Sequence, residues 1–417
     1  MNKMKRIFLS PQAFIAKLLS PQAFIVITFM FFACNEEGRL DHIDDNAPAP
    51  LQIGHIKVRN TPGGAVLKYT VPADENLLYV RAEYEIQPGV MRETMASYFK
   101  DSLVLEGFGD TRTYNVKVYS VGRNEKTSAP LTVKVTPLTP PVHMATKILR
   151  EGFGAAIIQI ENPEKANLAI ELMGDIDHLG YHIPLQTYYT SREKASFAYR
   201  GLDTTQKGFS VYLRDRWGNL SDTITTILTP WFEEYIPKNT WKVYPLPTDS
   251  WQPHPTLLSS TLDKAWDDIT SSLASGCFVN AGDTPVPMWV TWDLGVPIIM
   301  SRLKIWTNYT YVFSYGSPKK FELYGSTNPN QNGIWDDSWI PLGQFEILIP
   351  SGQETPTNDD IAIGRAGFDF DLEESEFAPD PFVPIRYIRY KAVSTWSGAS
   401  NIAQYLNEIS FWGQVIY

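Results

Sequence analysis

Trp289-Val290-Thr291-Trp292-Asp293-Leu294-Gly295 is followed by Arg302-Leu303-Lys304-Ile305-Trp306 and Lys320-Phe321-Glu322-Leu323-Tyr324-Gly325-Ser326. Arg386-Tyr387-Ile388-Arg389-Tyr390-Lys391 and Asn407-Glu408-Ile409-Ser410-Phe411-Trp412-Gly413 complete the series. Each run is short and rich in the β-branched and aromatic residues that suit strands. Upstream, residues 65–71, 79–84 and 114–119 alternate apolar and polar with period two, as half-buried strands do. Leu131–Val135 closes that unit, and Pro137, Pro140 and Pro141 end it. It offers no helical period, and several short strands in about 90 residues predict a β-sandwich.

The next unit repeats the plan. Gly64-Ala65 opens a strand ending at Pro72, with Asn76-Leu77 four residues on; Gly154-Ala155 opens another ending at Pro163, with Asn167-Leu168 at the same remove. Both units resemble fibronectin type III-like modules of bacterial surface proteins, and their implied role is that of spacers. The expected boundaries are residues 51–137 and 138–238, with a third unit at 239–417.

Length and composition agree with this division. At roughly 150 residues per domain, 417 residues predict about three domains. A formal charge of −10 argues against a nucleic-acid surface, which needs a basic patch. With two cysteines, Cys34 and Cys277, there is no disulfide framework. Of the 12 tryptophans, none precedes Trp217, and all but Trp217 and Trp231 lie from Trp241 onward. That asymmetry sets the third unit apart.

The first 33 residues read as a leader. Lys3, Lys5 and Arg6 precede an apolar run at 24–33 that is too short to span a bilayer as a helix. Leu-Ser-Pro-Gln-Ala-Phe-Ile occurs twice, at 9–15 and 19–25, a duplication in a tolerant segment. Phe31-Phe32-Ala33-Cys34 resembles the lipobox of Bacteroidetes lipoproteins, although Phe31 stands where leucine is usual. The resemblance implies a lipid anchor on Cys34, and Asn35-Glu36-Glu37 resembles the signal for display on the outer face of the outer membrane. Residues 34–50 form an acidic tether. Cys277, left alone, is expected to be a buried small hydrophobe.

In order and spacing, the strand runs of the third unit are similar to the discoidin-like, galactose-binding-like jelly roll. The expected fold is therefore all-β: two immunoglobulin- or fibronectin-like sandwiches followed by a jelly-roll sandwich. The whole chain resembles Bacteroidetes surface lipoproteins encoded beside glycan-uptake machinery in polysaccharide-utilisation loci. The implied function is non-catalytic glycan capture, with outer-membrane uptake proteins as partners; the alternatives are a structural or protein-docking accessory of that complex and, behind it, a glycosidase-associated subunit.

A sugar presents a flat C–H face for a ring and a rim of hydroxyls for polar groups. Trp251, Trp266, Tyr309, Tyr311, Phe313, Tyr315 and Trp396 are the aromatics of the expected loops. Trp396 is the first choice of anchor because Ser394, Thr395, Ser397 and Gly398 surround it; Trp251 and Tyr311 follow, with Asn308, Tyr309 and His254 as companions. The same resemblance implies a structural Ca²⁺ on Asp263, Asp268 and Glu408, with Lys264 where the family has glycine.

Catalysis has little to recommend it. A glycosidase needs two carboxylates facing one another, and Asp336-Asp337, Asp359-Asp360 and Glu373-Glu374 lie in loop-like polar stretches. His178 and His182 have a helical metal spacing, but Gly180 lies between them in a β context. No Gly-x-Ser-x-Gly elbow occurs, and the Glu-Gly-Phe-Gly segments at 106–109 and 151–154 lack the setting of a phosphate loop.

Overall fold

The computed structural model describes residues 43–273, 276–282, 284–373, 383–399 and 402–417. The chain is all-β. The first module contains β1 (Gly54–Thr61), β2 (Gly64–Thr70), β3 (Leu77–Gln87), β4 (Val90–Ser97), β5 (Ser102–Glu106), β6 (Tyr114–Gly122) and β7 (Leu131–Val135). They form sheets ordered β1-β2-β5 and β4-β3-β6-β7. The alternation is physical: along β2, Ala65, Leu67 and Tyr69 are buried while Lys68 and Thr70 face water.

The second module contains β8 (Thr146–Gly152), β9 (Ala155–Glu161), β10 (Leu168–Asp175), β11 (Ile183–Thr190), β12 (Lys194–Arg200), β13 (Lys207–Asp215) and β14 (Ile224–Leu228). Its sheets are β8-β9-β12 and β11-β10-β13-β14, the strand order of the first module seven strands on. Ile158 and Ile160 of one sheet join Ile170, Leu172, Phe209, Val211 and Leu213 of the other in a single core.

The third domain adds β15 (Glu234–Tyr235), β16 (Lys242–Val243), β17 (Phe278–Val279), β18 (Met288–Trp306), β19 (Pro318–Ser326) and β20 (Ile340–Glu346). It continues with β21 (Phe368–Asp371), β22 (Ile385–Thr395), β23 (Tyr405–Leu406) and β24 (Glu408–Val415). The main sheet runs β15-β24-β18-β22-β19-β20, with β16 and β21 also pairing β18. Two runs that read as separate strands, 289–295 and 302–306, are one 19-residue strand, β18. It changes partner midway: residues 288–293 pair with β22, and residues 298–306 pair with β24. Such a bent strand makes the corner of a sandwich. Gly295 permits the bend, because it has φ +81 and a Cβ there would lie 2.6 Å from the Cβ of Thr240. Asp293 braces it by accepting the Gly295 N–H at 2.7 Å and a two-pronged contact from Arg386 at 2.7 and 2.8 Å.

Four of the ten tryptophans from Trp241 onward, Trp241, Trp266, Trp292 and Trp339, are buried in this domain. Trp292 is fully buried, with Trp266 5.7 Å and Phe411 6.4 Å away between ring centres; Trp241 stacks on Phe411 at 5.1 Å. Rings of this size dominate core energetics.

The chain forms two compact units, one holding most of the first module and the other holding the second module with the third domain. Within the latter, Arg200 at the end of β12 reaches Asp371 at 2.6 Å, Glu373 at 3.1 Å, Glu233 at 3.0 Å and the Phe153 carbonyl at 2.7 Å. Glu373 has a fully buried side chain and accepts the Phe153 N–H at 3.1 Å, with Arg150 at 3.8 Å. Arg302 shares Glu233 at 3.2 Å.

One guanidinium cannot neutralise three carboxylates equally. Burial pushes the Glu373 carboxyl up to about 7, with Arg200 opposing the rise and Asp371 reinforcing it. Burial would lower the Arg200 pKa, but Asp371, Glu233 and Glu373 together raise it. Glu373 is thus the member that takes up a proton. It holds in the folded state a proton that the unfolded chain, titrating near 4.5, gives up. The contribution of Glu373 to stability is therefore complete below about 4.5 and is lost as pH rises through about 7, and Glu373→Gln should remove that part of the pH dependence in urea melts. Arg200→Met, which strands buried carboxylates, should cost about 3–5 kcal/mol by the same measurement; a loss below 1 kcal/mol would show that the cluster does not hold the two domains.

Candidate functional site

The loops at 308–317 and 395–398, with the segment leading into β23, are laced together at one end of the third domain. The Tyr315 carbonyl accepts the Ser397 N–H at 2.9 Å, the Ser317 carbonyl accepts the Trp396 N–H at 3.0 Å, and the Gly316 carbonyl accepts the Tyr405 N–H at 3.1 Å. Gly316 is required by contact, because a Cβ there would sit 1.6 Å from the carbonyl oxygen of Ala403. Asn308 shapes the first loop. It is fully buried, and its side-chain oxygen accepts the N–H groups of Thr310 at 2.9 Å and Tyr311 at 3.2 Å. It therefore acts as a turn former, which removes it from the candidate ligands.

Three tyrosines crown this end. Tyr311 lies 4.5 Å from Tyr315 and 6.0 Å from Tyr405 between ring centres, and Tyr315 is 58% exposed. Tyr315 also has φ +50, a left-handed backbone that a bulky side chain rarely adopts. Strain of that kind costs of order 1–3 kcal/mol and persists where the surroundings enforce it, often at binding loops. Ser397, Thr395 and Gly398 lie alongside, with the Thr395 and Ser397 hydroxyls 2.9 Å apart.

The other rings read as candidates are more committed. Trp396 packs against the core edge-on to Phe313 at 5.3 Å, with the Lys319 ammonium 4.9 Å from its ring centre. Its small, polar neighbours do not leave its face open, because Phe313 and Lys319 come from elsewhere in the chain. Trp251 is half-buried against Phe278 at 5.9 Å. The Arg365 guanidinium covers Tyr309 at 4.4 Å. His254 accepts the Leu257 N–H at 3.1 Å and serves a turn. Trp266 and Phe313 are buried. Tyr405, which sequence reasoning did not single out, joins the cluster because β23 returns beside Gly316; no local pattern announces it.

The calcium set is different from expectation. Glu408 and Asp268 do meet, since Glu408 accepts the Asp268 N–H at 2.8 Å, but the cation between them is Lys238. Its ammonium donates to Asp268 at 2.8 Å and to Glu408 more closely still, with side-chain exposures of 5% for Lys238 and 1% for Glu408. Tyr235 adds a hydroxyl to Asp268 at 3.1 Å. Asp263 stays exposed on the 3-10 turn Leu262–Trp266. Calcium takes six to eight oxygen ligands, whereas among the described residues no three His, Cys, Asp or Glu side chains are placed to hold a metal ion. These residues do not fit calcium. An ammonium on the preceding 3-10 turn supplies the positive charge instead. Burial raises the Glu408 carboxyl to about 7 against the pull of Lys238.

Other chemistry-bearing residues are accounted for locally. Cys277 is fully buried, and burial lifts its thiol to about 11, which makes it unreactive. His178 sits exposed in the turn before β11, and His182 pairs with Ser210. Asp359-Asp360 is not in a loop: Asn358–Arg365 is a short helix, and Asp360 closes a capping box with Thr357. Asp336 braces Ser338, and Glu374 lies outside the described residues.

Three family profiles match the chain in series: DUF4959 over residues 50–137, DUF5126 over 138–239 and DUF5000 over 266–413, each a domain of unknown function. No curated protein matches it. Among solved structures it is similar to a SusE-like protein, at 26% identity and TM-score 0.42 over 66% of this chain and 100% of that one. It is similar to the family 32 carbohydrate-binding module of NanJ from Clostridium perfringens, solved with galactose, at 12% identity and TM-score 0.28 over 43% of this chain and 99% of that one. A two-domain fibronectin type III segment of chicken tenascin aligns at 13% identity and TM-score 0.21, over 43% and 99% of the respective chains.

The Lys238 geometry makes a direct prediction. Chelator should leave the denaturation midpoint of the protein unchanged, while Lys238→Met, which leaves Glu408 buried without a partner, should cost about 3–5 kcal/mol. A midpoint that drops with chelator and recovers with calcium would restore the metal.

Proposed function

We propose that this protein is a non-catalytic carbohydrate-binding lipoprotein, held at the outer membrane through Cys34 and capturing glycan for an uptake system. The observation that carries the reading is Tyr315, an exposed ring on strained left-handed backbone, backed by Tyr311 and flanked by loop hydroxyls. A stacking ring beside hydroxyl donors is what a sugar face and rim require. The chain's acidity and the lipobox-like Ala33-Cys34 support display on a cell surface. Cys34 lies outside the described residues, and none of the helices among the described residues is long and apolar enough to cross a membrane. Non-catalytic binding is favoured because the buried carboxylates Glu373, Glu408 and Asp249 are each held by a cation, Arg200, Lys238 and Arg389 respectively.

A shallow site of few contacts implies micromolar to millimolar affinity, about −8 to −4 kcal/mol. Tyr315→Gly should cost roughly 1–3 kcal/mol of glycan binding by calorimetry while leaving stability unchanged or improved, because glycine tolerates positive φ. Undiminished binding would remove Tyr315 from the site. Cys34→Ala should abolish processing by the lipoprotein signal peptidase and release the protein from the membrane fraction; unchanged fractionation would refute the anchor.

A further inference from the structure

A groove of about 1100 Å³ lies between the second module and the third domain. One wall is the outer face of the sheet β8-β9-β12, where Ile148, Gln159 and Ser196 stand in one cross-strand row. The opposite wall includes Gln344 and the half-buried ring of Phe370. Tyr189, 72% exposed near the end of β11, stands at the rim. The volume is at the top of the roughly 300–1,000 Å³ range of small-ligand sites, so the groove suits an extended ligand.

Charge narrows the ligand. The carboxylates in the groove are mostly spoken for: Asp371 and Glu373 pair with Arg200, and Asp369 pairs with Lys304 at 3.0 Å. On the next row, Lys194 and Glu161 face each other in register with opposite signs. Arg192 is the further cation of the lining, and with Lys194 set against Glu161 it makes no basic track for a polyanion; a cation finds no cluster of free carboxylates. What the groove offers is amides, hydroxyls and, beyond the core-packed Phe197 and Phe345, the rings of Tyr189 and Phe370. These suit a neutral chain with hydroxyl rims and apolar faces.

We infer that this groove is a second carbohydrate site, which takes a neutral oligosaccharide of several sugars, with Tyr189 as the stacking ring and Gln159 and Gln344 as hydrogen-bonding partners. The inference rests on the reading that the protein binds glycans, but the site is separate from the Tyr315 loops. A long chain would engage both sites, and linking two weak contacts raises avidity without any new interaction.

The full chain is screened on an array of neutral gluco-, galacto-, manno- and xylo-configured oligosaccharides, and the best hit is titrated as disaccharide and hexasaccharide. Tyr189→Ala and Gln159→Ala should weaken hexasaccharide binding at least fivefold and leave disaccharide binding unchanged, whereas Tyr315→Ala should weaken both. Tyr189 is exposed, so its replacement should leave the melt unchanged. Hexasaccharide binding that is unaffected in both groove variants but lost in Tyr315→Ala would overturn the groove and keep the loop site. Loss in the groove variants alone would keep the groove and overturn the loop site. A protein that binds no neutral glycan on the array, or only a peptide, would overturn both.

Discussion

Arg200 is the residue on which the second module and the third domain depend together. Its planar fork reaches Asp371, Glu373 and Glu233 and the Phe153 carbonyl, and its side chain is only 21% exposed. A lysine could not make these contacts, because a single ammonium lacks the guanidinium's several directed donors. Removing the guanidinium would strip Asp371 and the buried Glu373 of their closest cation, a larger loss than an exposed ion pair could cause. The cluster also holds β21 and the end of β12 in place, and these flank the walls of the groove. Position and charge are thus coupled: the carboxylates that secure the domains are the ones withdrawn from a ligand.

A similar economy governs the aromatic residues. Trp241, Trp266, Trp292 and Phe411 interlock as core, while Trp335 and Trp339 lie over the buried Arg389 guanidinium at 4.7 and 4.2 Å. The rings of the proposed loop site are tyrosines, whose hydroxyls keep one end wet. The tryptophans of this domain divide between core, at Trp241, Trp266, Trp292 and Trp339, and rings that stay half-buried or exposed at its surface, such as Trp306 and Trp335. Lys238 follows the same logic. Asp268, just after the Leu262–Trp266 turn, meets Glu408 at the start of β24, and Lys238 on the turn after β15 is the chain's own cation for both.

How much of this was legible beforehand depends on the range of the interaction. The sandwiches were readable because alternation is local: Ala65, Leu67 and Tyr69 point inward for the reason that any strand with one wet face must alternate. The repeat of strand order followed from matched glycine and proline positions. The joining of 289–295 to 302–306 was not legible, since the bend at Gly295 is set by Thr240, which lies far away in sequence. The contacts of Trp396 were not legible for the same reason: its local neighbours are small, but Phe313 and Lys319 reach it through the fold and leave it half-buried.

The sequence by itself determined the all-β class, the strand runs and the likeness of the first two modules, because each depends on residues within one or two turns or strands of one another. It also carries the lipobox-like Ala33-Cys34, on which the proposed anchor rests. Only the tertiary structure decided which rings are core and which are exposed, that Asp268 and Glu408 share a lysine, and that Arg200 draws in Glu233 from one distant segment and Asp371 and Glu373 from another. Those outcomes depend on groups brought within 3 to 6 Å from far apart in the chain, and at that range desolvation and packing, not residue type, determine what a side chain can do.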